Sequence, residues 1–185
     1  MNRNVELSHY IITSEVISIL KKSLSKCNFL NLENGGDFCI TVNEKGIPTE
    51  RRILIENECI GNKCDIIHKG KCSEGKQIIG TFHNHPESIV ADPSIRDFLT
   101  AYAYGLSCIG SVEKNSIICY ERIGDFIEKN FRAILKADEK VGEILRYHEK
   151  LSDEKFLEYY EAEQDIVNTI KDKLFKLYLI FQGDI

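Results

Sequence analysis

The chain has 185 residues, 43% of them apolar and 29% charged, with a net charge of −5. That length fits one domain of ordinary size with an appendage, and the acidic balance weighs against a nucleic-acid grip driven by bulk charge. No apolar run approaches the ~20 residues of a membrane span, and residues 1–6 lack the apolar core of a signal peptide, so a cytoplasmic, membrane-free protein is expected.

Residues 13–26 predict an amphipathic helix. Thr13 or Ser14 can cap it, and Val16, Ile17, Ile19, Leu20 and Leu24 recur at helical spacing. The second half of 29–42 reads as a strand, with Gly35 and Gly36 marking a tight backbone approach at its start. Residues 43–48 read as a turn. Residues 52–59 alternate polar and apolar around Ile53 and Ile55, like a half-exposed strand. Residues 59–75 look like a loop with a short strand near 65–67. The run 77–83 is apolar and β-prone. A helix starts at Pro93-Ser94 and continues through Asp97, Phe98, Leu99, Ala101 and Tyr102. Residues 106–112 and 116–122 pair as a hairpin across Glu113-Lys114-Asn115. This mixture of helices and strands defines an α+β class.

Beyond about residue 125 the pattern becomes helical. Ile127, Phe131, Ile134, Val141, Leu145 and His148 approach a seven-residue repeat. Ser152 offers an N-cap after a break. Phe156, Tyr160, Val167, Ile170, Leu174, Leu177 and Phe181 then alternate steps of three and four, interrupted by Glu163. Two helices of about 25 residues would make a helical hairpin. The chain therefore divides into residues 1–123 and a C-terminal helical extension, 124–185. The extension's apolar stripe either completes the core or serves homodimerisation or partner binding.

Seven cysteines stand at positions 27, 39, 59, 64, 72, 108 and 119. An odd number without a secretion signal favours reduced thiols. Cys59, Cys64 and Cys72, with His68 among them, also admit a second metal or a disulfide, although no CxxC knuckle is present.

The most informative stretch is His83-x-His85-Pro86 followed by Ser94-x-x-Asp97. Residues two apart on a strand project to one side, so His83 and His85 can grip one divalent ion. Pro86 ends the strand, and Asp97 can add an oxygen ligand. Two histidines and one carboxylate leave a fourth position for water, the arrangement of a catalytic zinc site.

These residues resemble the JAMM (MPN-plus, JAB-domain) metalloprotease signature, a Glu followed at a distance by HxHP and SxxD. The His-Asn-His-Pro wording is also similar to bacterial RadC-type proteins. Eight residues separate His85 from Ser94, one more than the usual family spacing. The resemblance spans about residues 10–122 and implies an MPN/JAB-like (cytidine-deaminase-like) fold, a mixed sheet flanked by helices. It implies one zinc ion on His83, His85 and Asp97, with Glu33 as general base and Ser94 as oxyanion donor. Glu33-Asn34-Gly35-Gly36 looks like the family's E-x-x-G. Glu56 and Glu58 are the alternatives for the base, and Glu44 falls in a turn. Ser94 could equally cap the helix that carries Asp97.

The implied activity is a zinc-dependent isopeptidase or peptidase. It would hydrolyse amide bonds at the C-terminus of ubiquitin-like or sulfur-carrier β-grasp proteins. An edge strand near 53–59 could receive the substrate tail as an added strand. Two alternatives stay open: a non-catalytic MPN-like scaffold, and a RadC-like protein of DNA transactions.

Overall fold

A computed structural model describes residues 3–61, 71–87, 93–146 and 152–184. The short strand expected near 65–67, the ligand candidates Cys64 and His68, and the extra loop residue between His85 and Ser94 lie outside the described residues or depend on them. So does His148.

The first turns of the chain follow from local chemistry. Val5–Glu6 (β1) and Ile11–Ile12 (β2) pair antiparallel. Thr13 then caps helix α1, Ser14–Leu30, its side chain accepting from the Val16 N–H. The helix runs a turn beyond the expected end and stops at Asn31, which takes the left-handed conformation. Its inner stripe, Val16, Leu20, Leu24 and Cys27, is buried.

Six strands form one mixed sheet in the order β4-β3-β5-β6-β7-β8. They are β3 Asn34–Thr41, β4 Leu54–Ile60, β5 Lys76–His85, β6 Leu106–Ser111, β7 Ser116–Arg122 and β8 Phe175–Gln182. Within this sheet, among the described residues, only β5 and β6 run parallel. Helix α2, Ile95–Tyr104, connects them, as a parallel pair requires. Helices α3, Glu128–Arg146, and α4, Asp153–Leu174, follow the β6–β7 hairpin.

The helices cover the two faces of the sheet separately. On one face, Val16, Leu20 and Leu24 of α1 pack with Phe38, Ile40, Phe82, Leu106 and Ile117. On the other, Phe98 and Tyr102 of α2 pack with Ile109 and Tyr120, with Ile134, Val141 and Val167 of α3 and α4, and with Phe175. The alternation along each strand follows from the period of two. No helix among the described residues is long and apolar enough to cross a membrane.

Two expectations are corrected. The second C-terminal helix does not reach Phe181: it ends at Leu174, and residues 175–182 form β8 against β7. Leu174, Leu177 and Phe181 satisfy helical steps, but Phe175, Leu177 and Leu179 equally satisfy an alternation of two, and a register shift after Leu179 turns Phe181 to the α1 face. The open edge of β7 selects the strand, and aromatic and branched residues suit it. The cysteines are not mainly reduced. Cys39 is bonded to Cys72 and Cys108 to Cys119, and Cys59 is also disulfide-bonded. Cys27 is the free thiol among the described residues. Cys72 is therefore taken, and the four-ligand reading of Cys59, Cys64, Cys72 and His68 fails.

Candidate metal centre

Strand β5 ends at His85, the residue before Pro86. Phe82 and Asn84 face α1, so Thr81, His83 and His85 face α2. The first turn of α2 meets the histidines there. Ser94 is its N-cap and Asp97 its third residue, and the two form a reciprocal capping box. The Ser94 N–H donates to Asp97 Oδ2 at 2.8 Å, and the Asp97 N–H donates to Ser94 Oγ at 3.3 Å. The SxxD spacing thus fixes the Asp97 carboxylate at a helix start.

Three ligand groups converge. His83 Nε2 lies 2.9 Å from His85 Nε2, 3.2 Å from Asp97 Oδ1, and His85 Nε2 lies 3.8 Å from Asp97 Oδ2. Ligands of a tetrahedral zinc at 2.0–2.2 Å stand about 3.3 Å from one another, so these spacings bracket that value and the donor set fits a divalent ion. The electrostatics agree. Burial pushes the Asp97 pKa up, but His83 and His85, with the hydrogen bonds of His83 and Ser94, hold it down at about 2. Burial pulls His83 down, yet the charge and hydrogen bond of Asp97, with the charge of Glu33, raise it above its ordinary value. A divalent cation could replace the proton that these anions favour.

Glu33 immediately precedes β3 and is exposed. The β3–β5 register pairs Asn34 with Asn84 and Gly35 with His83. One further step places Glu33 opposite His85. Asn34 turns toward α1, bonding the Ser23 carbonyl, so alternation turns Glu33 toward the histidines. Its charge acts on His83 and, second to burial, on the buried Cys27 thiol, which the two together push up to about 11. Gly35 allows this closeness, because a Cβ there would collide with the Phe82 carbonyl.

The other carboxylates are placed elsewhere. Glu56 accepts from the Ser73 N–H and hydroxyl and pairs with Lys76 at 3.4 Å. It also stands near Cys39 and Cys72, but those sulfurs are bonded to each other. Glu58 lines a cavity of about 360 Å³ with Lys22, Lys26 and Ser23, on the α1 side of the sheet. Glu44 lies in the turn at the opposite end of β3.

One polar cluster escapes the motif. Asn84, between the two histidines, is buried and hydrogen-bonded to Ser23 and Asn34. A polar residue on the core-facing side of a buried strand is the sequence signal that could have marked it.

No protein-family model matches the chain, and no curated protein matches it either.

Proposed function

We propose that the protein is a JAMM-type zinc metalloprotease with an MPN/JAB-like fold. It would hydrolyse isopeptide or peptide bonds at the C-terminal tail of a ubiquitin-like or sulfur-carrier β-grasp protein. The observation that carries this reading is the convergence of His83, His85 and Asp97, ligand atoms within 4.8 Å of one another, with Glu33 beside them. His83 and His85 would bind zinc through Nε2 and Asp97 through its carboxylate. A zinc ion held there supplies Lewis acidity and brings the pKa of a bound water toward neutrality.

The residues divide the remaining work. Glu33 is not among the three ligands, and its exposed carboxylate can accept the proton of the attacking water. It then delivers that proton to the departing amine. Ser94 Oγ accepts from the Asp97 N–H, which leaves its own O–H free to donate to the developing oxyanion. Capping and oxyanion donation are thus compatible in one hydroxyl.

The test uses β-grasp modifier proteins carrying a C-terminal amide-linked lysine or peptide. The full chain, loaded with zinc, should release the amine, and a chelator should stop it. A protein that holds one zinc but cleaves none of these substrates would favour the non-catalytic scaffold. Retention on duplex DNA with a steep salt dependence would favour the RadC-like reading.

A further inference from the structure

The site's histidines and its proposed base come from neighbouring segments of the sheet. His83 and His85 belong to β5, whereas Glu33 immediately precedes β3. Their relative placement must come from the protein behind them. Asn84 and Asn34 are cross-strand partners in the β3–β5 register, each 3% exposed. Asn84 Nδ2 donates to Asn34 Oδ1 at 2.7 Å and to Ser23 Oγ at 3.0 Å. Asn34 Nδ2 donates to the Ser23 carbonyl at 2.8 Å. Both carboxamides are therefore tied to one residue of α1 and to each other. Next door, β6 makes room: Gly110 pairs with Asn84, and a Cβ at position 110 would collide with Asn84 Oδ1.

We propose that Asn84, clamped by Asn34 and Ser23, is a positioning residue that holds the His83–His85 pair in place to grip a metal ion, and that Asn34 fixes the start of the neighbouring strand beside Glu33. Asn84 flanks both histidines along the chain and Asn34 flanks Glu33, so the amide pair is a direct link between the two. Burial makes the arrangement exacting, since a buried amide that shifts loses hydrogen bonds it cannot recover from water. Residues that bond a metal ligand directly change metal affinity by about tenfold to a hundredfold; Asn84 acts on the histidines through the backbone it shares with them. The inference rests on the proposed metal centre.

The experiment uses the full chain and zinc alone. Zinc affinity is measured by competition with a chromogenic chelator, and the cobalt-substituted protein is examined for its visible absorption bands. Asn84→Ala and Gly110→Ala should weaken zinc binding by up to about tenfold, the lower end of that range, and shift the cobalt bands. Ile40→Ala, a core change at the far end of β3, should lower the melting temperature but leave zinc affinity and the bands as in the wild type. If Asn84→Ala does not fold, Ser23→Ala removes one bond of the clamp and should weaken zinc binding severalfold. Wild-type affinity and bands in the folded clamp variants would overturn the proposal, as would equal loss of zinc in Ile40→Ala. If the wild type itself binds no zinc, the metal reading falls first and the clamp with it. Loss confined to the clamp variants supports both.

Discussion

His83 Nε2 and His85 Nε2 stand 2.9 Å apart, on alternate residues of one strand. Two protonated imidazoles so close would repel strongly. Asp97 balances the pair, with its two oxygens at 3.2 and 3.8 Å. The three groups can share a proton, or they can share a metal ion.

If they share a metal ion, each ligand is indispensable. His83→Ala, His85→Ala and Asp97→Asn should each cost more affinity than the ~10–100-fold typical of outer residues. Metal analysis after purification would show zinc well below one equivalent. Activity, once assayed, should fall in parallel. Full zinc content in His83→Ala would place the ion elsewhere.

Proton and metal compete for this site, and pH separates them. Asp97 titrates at about 2 in the folded protein, against an ordinary value of 3.8. Its contribution is therefore complete above ~4 and lost as pH falls toward ~2, on the order of 2 kcal/mol. His83 titrates above its ordinary 6.5 in the folded protein. Its contribution is complete below ~6.5 and lost as pH rises through the raised value. Metal-free protein should thus be most resistant to urea between about pH 4 and 6.5 as far as this site governs it. Zinc requires neutral imidazoles, so the extra stability it confers should grow as pH rises through the same upper limit. Urea unfolding with chelator and with zinc, from pH 2 to 8, would reveal a metal-free curve that falls above pH ~6.5 and a zinc curve that levels off there, so that the gap between them widens. Parallel curves would mean that zinc does not contact the histidines.

Glu33→Gln separates chemistry from binding. Gln keeps the shape of Glu but cannot carry a proton. Zinc content should be unchanged while turnover falls by about 10²–10⁴. Glu56→Gln and Glu58→Gln should stay active, because Glu56 is engaged with Ser73 and Lys76 and Glu58 faces the α1 side. An active Glu33→Gln would move the base to another residue.

The parts legible in the sequence are those fixed by short-range chemistry. Thr13 and Ser94 announce their helices by capping. His83 and His85 project together because a strand alternates, and Pro86 ends that strand. The β6–β7 hairpin follows from two β-prone runs flanking a polar turn. The hidden parts depend on partners distant along the chain. Cys39 finds Cys72 across 33 residues, and spacing does not encode that choice. Asn84 looks like filler in HxH until Asn34 and Ser23 are seen against it. Phe175 to Gln182 fits a helix or a strand until the edge of β7 decides.

That last decision has a measurable consequence. Phe175 opens β8, is 3% exposed, and its ring lies 5.3 Å from Phe98 and 6.1 Å from Tyr102. Phe98 and Tyr102 belong to α2, the helix whose first turn carries Asp97. Leu179, on the same strand, is 61% exposed. Under a helical continuation these two residues, four apart, would share one face and respond alike. In the observed strand both also project to one side, but Phe175 lies beneath α2 whereas Leu179 is left uncovered. Phe175→Ala should therefore cost about 3–5 kcal/mol, while Leu179→Ala should stay within about 0.5 kcal/mol. Denaturant unfolding of the two variants measures the difference. Because α2 rests on Phe175, the Phe175→Ala protein should also bind zinc more weakly at temperatures near its melting point. Equal stabilities for the two variants would mean that β8 does not pack as the structure has it.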